Sequence, residues 1–309
     1  MSSRHLVDRE LAPMLDIWPA VTIGADNLHE VRNREVPFPE PADSGVDWHE
    51  HDVDTPDGPV RVRIYRPREA KGALGCIFHI HGGGYVLGKL SELEFMHRPL
   101  AGELGCVIVT VDYRLAPETS FPGNIEDCYA ALAWTVGHAG ELGIDPSRIG
   151  VMGESAGGGL AAALALLVRD RGDYNLAFQH LTYPMIDDRT CVGEQHPYTG
   201  EFIWTPHNNR FGWHALLGQE PGGPDVSPYA AAARATDLSG LPPTYIMTGA
   251  LDLFLEEDLD YARRLIRAGV PTELHLYPGG FHGFDIFPAS APAAAAQASR
   301  MAALARALA

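Results

Sequence analysis

Apolar positions along the chain follow two periods. Over residues 47–66 they recur every second position, with Val60, Val62 and Ile64 on one face and Arg61, Arg63 and Tyr65 on the other. The turn residues Pro56-Asp57-Gly58 come just before, so the stretch predicts an antiparallel hairpin at a sheet edge. After it, short apolar runs at 73–80, 106–111, 149–152 and 177–183 read as strands, those at 106–111 and 149–152 as buried ones, and 244–248 and 272–277 read as two further strands. Between them, residues 92–104, 123–138, 160–168 and about 256–268 carry small and apolar residues at helical spacing, with Gly269 closing the last of these. Asp145-Pro146-Ser147-Arg148 reads as the turn into the run at 149–152, and the alanine-rich tail 291–309 as a final helix. Strands alternating with helices predict an α/β fold on a mainly parallel sheet, with functional groups at the carboxyl ends of the strands.

Two stretches break this rhythm. Residues 1–45 combine a helix-like piece at 6–17 with Trp18, Phe38 and the prolines Pro37, Pro39 and Pro41, which suggests a lid or arm. Residues 184–218 are polar and carry Tyr198, Phe202, Trp204, Phe211 and Trp213. An insertion that long inside a compact domain is usually functional.

Bulk properties narrow the partners. The 309 residues could form one α/β domain or two ordinary ones, and 46% apolar with 20% charged residues describes a globular chain. A formal charge of −17 with no Lys/Arg-rich run opposes nucleic acid and anionic membrane surfaces as partners. Cys76, Cys106, Cys128 and Cys191 lack metal or redox spacing, and read as small core residues of a reducing compartment. The first fifteen residues lack the apolar segment of a signal peptide, and the longest apolar run, 156–168, is too short to cross a bilayer. A cytoplasmic location without membrane insertion is therefore expected.

The chemistry centres on Gly153-Glu154-Ser155-Ala156-Gly157, set between a strand and a helix start. A serine on so sharp a turn needs strained backbone angles and neighbours without bulk, and the helix start favours developing negative charge. The same pentapeptide could serve only to pack a helix on a strand. A serine nucleophile needs a base oriented by a carboxylate. His282 follows a late strand among Gly279, Gly280 and Gly283, whereas His275 lies within that strand. Asp252 lies just past the run at 244–248, and the order Ser155, Asp252, His282 is the α/β-hydrolase order; Asp112 also ends a strand but precedes the serine. The loop His81-Gly82-Gly83-Gly84 can supply backbone donors for an oxyanion, here the N–H groups of Gly83 and Gly84 together with Ala156, with His81 shaping the loop. Two other classes stay open: a metal hydrolase using His79-x-His81, and a ligand receptor on the same fold.

In its motifs the chain resembles the hormone-sensitive-lipase-like carboxylesterases of the α/β-hydrolases. His81-Gly82-Gly83-Gly84, Tyr113 to Glu118, Asp145-Pro146-x-Arg148, Gly153-x-Ser155-Ala156-Gly157 and His282-Gly283-Phe284 fall in that family's order and span most of the sequence. The resemblance implies an eight-stranded, mostly parallel sheet flanked by helices. Its core would comprise residues 46–183 and 219–309, capped by an N-terminal arm (1–45) and an insertion (184–218). It implies hydrolysis of short- to medium-chain acyl esters without a cofactor or metal, and is compatible with a homodimer. Glu154 replaces the Asp or Thr of many relatives, Tyr85 their Phe or Trp, and Leu253-Phe254-Leu255 lacks their proline and arginine. Asp252 is thus assigned by strand position, and Glu154 could either tune His282 or hold structure.

Overall fold

The structure is a computed structural model that describes residues 2–18, 21–34, 43–286 and 289–309. Eight strands, β1 (Val46–Val53), β2 (Val60–Pro67), β3 (Leu74–Ile80), β4 (Val107–Asp112), β5 (Ile144–Glu154), β6 (Gln179–Thr182), β7 (Thr244–Gly249) and β8 (Thr272–Tyr277), form one sheet in the order β1-β2-β4-β3-β5-β6-β7-β8. The predicted hairpin is β1–β2, with Asp47 opposite Arg66 and Val53 opposite Val60. β2 also runs antiparallel to β4, and every later neighbour is parallel. The helices are α1 (Met14–Ile17), α2 (Leu28–Asn33), α3 (Glu94–Leu104), α4 (Gly123–Gly137), α5 (Ala139–Leu142), α6 (Ala156–Arg171), α7 (Pro206–Leu217), α8 (Leu255–Arg267) and α9 (Ala291–Leu308).

Burial on both faces explains the mainly apolar runs of β3, β4 and the end of β5. Cys76, Phe78, Ile80, Ile149 and Val151 share a core with α4, α6 and α8. Ile77, Ile108 and Met152 point to the opposite face, under α3 and α9. The α6 helix is buried at every position from Ala156 to Val168, and its glycines and alanines let it lie close against the sheet.

Several expectations need correcting. In place of one helix-like piece at 6–17, the described residues of the arm form a 3-10 turn at Arg4–Leu6, α1 at Met14–Ile17 after Pro13, and α2 at Leu28–Asn33, with turns between the first two. Pro37, Phe38, Pro39 and Pro41 lie outside the described residues. Asp145 to Arg148 is an outward excursion within β5, where pairing with β3 jumps from Leu74–Ile144 to Cys76–Ile149. The insertion holds a true helix, α7, started by Pro206 after the Thr205 cap. Its helical period is hidden in the sequence because Asn208 and Asn209 face inward. Asn208 ties the insertion to the arm, accepting from the Ile23 N–H at 2.9 Å and donating to the Val21 carbonyl at 2.8 Å. Among the described residues, no helix is long and apolar enough to cross a membrane, and all four cysteines are free.

Candidate active site

The chain leaves β3 towards β4 on one side and leaves its neighbour β5 towards β6 on the other, so these connections diverge and open a crevice at the carboxyl ends of β3 and β5. The segments after β3, β5, β7 and β8 bring His81 to Gly84, Ser155, Asp252 and His282 to that end of the sheet.

Ser155 sits between β5 and α6 with φ +56° and ψ −124°, a conformation that L-residues rarely adopt. It is held from three sides: its N–H donates to the Thr182 carbonyl, and its carbonyl accepts from Gly159 and Met185. The two motif glycines are required by space. A β-carbon on Gly153 would lie 2.3 Å from the Gly157 oxygen, and one on Gly157 only 2.0 Å from the Ile80 oxygen.

The structure joins the three predicted side chains in one hydrogen-bonded row. His282 Nε2 lies 2.9 Å from Ser155 Oγ, and His282 Nδ1 lies 2.9 Å from Asp252 Oδ2. The carboxylate can only accept, so Nδ1 carries the proton and Nε2 is left to accept from the Ser155 hydroxyl. Asp252 Oδ1 is occupied by the Phe254 N–H at 3.0 Å. Asp252 is fully buried, while Ser155 and His282 keep 7% and 6% exposure. Low exposure strengthens the electrostatic coupling along the row and still leaves the hydroxyl an approach.

The glycine loop abuts the serine. A β-carbon on Gly82 would stand 2.8 Å from the Glu154 oxygen and 3.3 Å from Ser155 Cβ. Gly83 and Gly84 have φ of +117° and +61°, and their N–H groups engage no other group among the described residues. Ala156 is the first residue of α6, where N–H groups have no intrahelical acceptor. Beneath the loop, His81 stacks on Tyr113, donates Nδ1–H to the Gly82 carbonyl at 2.8 Å, and its carbonyl accepts from the Tyr113 hydroxyl. Burial pushes the His81 imidazole down to about 4. This is the loop-shaping position expected of it.

Of the supporting residues, the sequence singles out Glu154, for tuning His282 or holding structure, whereas Thr110, Tyr183, Glu257 and Asp285 escape the sequence reading. Glu154 turns away from His282 and accepts from His79 Nε2 at 2.8 Å, while His79 Nδ1 meets the Thr110 hydroxyl at 3.0 Å. Burial raises the Glu154 carboxyl, but the His79 contact and the Arg300 charge outweigh it and hold the group below its usual range. The pair bolts the end of β3, which feeds the glycine loop, to the end of β5, which feeds Ser155. Tyr183 lies 4.6 Å from the His282 ring, centroid to centroid, and is fixed by its hydroxyl on Asp285 at 2.8 Å. Glu257, also buried, accepts from the Ile186 and Asp187 N–H groups and from the Thr190 hydroxyl, anchoring the start of the insertion to α8. Burial first, then the neighbouring Asp187, keeps its carboxyl well above the ordinary range.

The rejected candidates lie elsewhere. His275 meets Glu273 on the edge strand β8, and Asp112 ends β4 opposite Arg61. The ring nitrogens of His79 are taken by Thr110 and Glu154, and no group of three or more His, Cys, Asp or Glu side chains suited to a metal occurs among the described residues. Of the five insertion aromatics, Tyr198 lies exposed beside His196, Trp213 packs on Tyr85 and Phe202 on Phe281, and Phe211 joins the main core. Trp204 alone reaches the site, 6.4 Å from the His282 ring.

The chain is similar to known proteins over most of its length. A family profile described as an alpha/beta hydrolase fold matches residues 77–286. Carboxylesterase NlhH of Mycobacterium tuberculosis is 37% identical over 99% of this chain and 98% of its own. An arylesterase of Saccharolobus solfataricus is 34% identical over 72% of each. A solved bacterial heroin esterase superposes with a TM-score of 0.90 at 38% identity over the whole of both chains. Fold, motif order and relatives agree: the chain is a carboxylic ester hydrolase and belongs to the hormone-sensitive-lipase-like carboxylesterase family of the α/β-hydrolases.

Proposed function

We propose that the protein hydrolyses short- to medium-chain acyl esters through an acyl-enzyme on Ser155. The observation that carries this reading is the row Ser155–His282–Asp252 beside unoccupied backbone donors. His282 Nε2 takes the hydroxyl proton as Ser155 Oγ bonds to the ester carbonyl carbon. Negative charge then builds on the carbonyl oxygen, facing the N–H groups of Gly83, Gly84 and Ala156. Collapse breaks the bond to the alcohol oxygen, which leaves with the proton from Nε2. Water repeats the sequence on the acyl-enzyme and releases the acid. Asp252 fixes the imidazole tautomer and stabilises its cation. The arm and the 184–218 insertion serve as the cap, and the acidic surface and free cysteines suit a cytoplasmic enzyme.

The test is hydrolysis of p-nitrophenyl esters from acetate to palmitate by the parent and Ser155→Ala. A short-chain maximum that vanishes in the variant is expected, whereas persisting activity would overturn the nucleophile assignment.

A further inference from the structure

Trp204 occupies an unusual place. The benzo edge of its indole lies against Gly84, so that a β-carbon on Gly84 would meet Trp204 Cη2 at 2.0 Å and Cζ2 at 2.5 Å. Its other neighbour in the site is the His282 ring. The indole therefore bridges the space between the glycine loop at Gly84 and the His282 ring. It is only 6% exposed.

The indole is held at both ends. Trp204 Nε1–H donates to Asn209 Oδ1 at 3.3 Å, and Asn209, fully buried, donates in turn to Cys191 Sγ. On the backbone side, the Trp204 N–H closes a three-residue turn onto the Phe202 carbonyl at 2.7 Å, with Ile203 at φ +61° in its centre. A β-branched residue in that region is strained, and strain of this kind persists only where surrounding contacts over-determine it.

Reaction chemistry assigns the two arms of the ester. The alcohol oxygen must face His282 Nε2 to receive its proton, so the alcohol leaves on the His282 side. A narrow apolar crevice opens there, lined by Met14, Trp18, Ile203, Phe281 and Ile286. The acyl arm is then directed the other way, along the glycine loop, where the indole stands. We infer that Trp204 is a specificity-determining residue that sets the length of acyl chain the enzyme accepts. This rests on Ser155 being the nucleophile.

The experiment compares the parent, Trp204→Phe and Trp204→Ala on two ester series. One varies the acyl chain of p-nitrophenyl esters from acetate to laurate, and the other varies the alcohol of alkyl acetates from ethyl to octyl. The laurate-to-acetate ratio of kcat/KM should rise at least about tenfold in Trp204→Ala and less in Trp204→Phe, with no matching change along the alkyl acetates. An unaltered acyl ratio in a folded Trp204→Ala, or a shift confined to the alcohol series, overturns the inference. Should Trp204→Ala lose its cooperative melt, Trp204→Phe decides alone, since it keeps a ring but withdraws the edge that touches Gly84. Labelling by a serine-directed phosphonate separates the two readings. Loss of label in the parent removes the Ser155 mechanism, whereas intact labelling with a fixed acyl ratio removes only the role of Trp204.

Discussion

Gly157→Ala is the smallest substitution that should separate the two halves of the site. The new methyl would stand 2.0 Å from the Ile80 oxygen, 2.5 Å from the His81 oxygen and 2.6 Å from the His81 carbon, all of them backbone. Ordinary contact begins near 3.4 Å, so the start of α6 and the end of β3 must part by roughly 1.4 Å. Overpacking of this kind costs about 1–3 kcal/mol, which in a chain this long lowers Tm by on the order of 5 °C. The loss of function should exceed the loss of stability. β3 carries the Gly83 and Gly84 donors, α6 carries Ala156 and Ser155, and a misplacement of about 1 Å costs on the order of a hundredfold in rate. Calorimetry and p-nitrophenyl acetate kinetics on Gly157→Ala provide the measurement. Gly137→Ala is the control, because nothing lies within 4 Å of its β-carbon site near the end of α4. If Gly157→Ala melted with the parent and kept kcat/KM within about threefold, the contact between the glycine loop and the serine turn would not be what sets catalysis.

Asp252→Asn should preserve the fold and lower kcat on the order of a thousandfold or more, because an amide at Oδ2 no longer selects the Nδ1–H tautomer; an effect under tenfold would shift the acid role elsewhere. Stability should fall with acid, since burial pushes His81 down to about 4 and His97 and His180 well below 6.5. Their neutral forms stabilise the fold above pH 6.5, and that contribution is lost as pH falls from 6.5 towards 4, on the order of 3 kcal/mol for His81. Urea midpoints at pH 7.5 and 4.5 check this, and equal midpoints would contradict it. His97→Phe should flatten the same slope without lowering Tm, because both ring nitrogens of His97 are buried without a hydrogen bond among the described residues. Glu154→Gln should lower kcat more than it raises KM by loosening the His79 bolt between β3 and β5, whereas a change confined to KM would place Glu154 at the substrate instead. Activity should withstand EDTA, and loss on chelation with recovery on adding zinc would restore the metal-hydrolase reading.

Much of this protein is local and therefore legible in its sequence. Strands buried on both faces must be mostly apolar, so β3 and β4 announce themselves as runs such as Cys76 to Ile80 and Val107 to Val111, broken only by His79 and Thr110, whereas β6 buries Gln179, His180 and Thr182. The turn at Ser155 needs bare neighbours on either side, which fixes the spacing of Gly153 and Gly157 whatever the rest of the chain does. Asp252 and His282 follow strands β7 and β8 in an order that the topology preserves. The tertiary structure decided the contacts between groups that no spacing relates. It laid Trp204 of the insertion on Gly84, paired Glu154 with His79, and set Asp285 behind Tyr183. It also turned Asn208 and Asn209 inward, so that a buried helix looked polar in the sequence. The division has one physical cause. Backbone conformation answers to adjacent residues, whereas the environment of a side chain depends on segments many tens of positions away, brought close only when the sheet and the segments over it have packed.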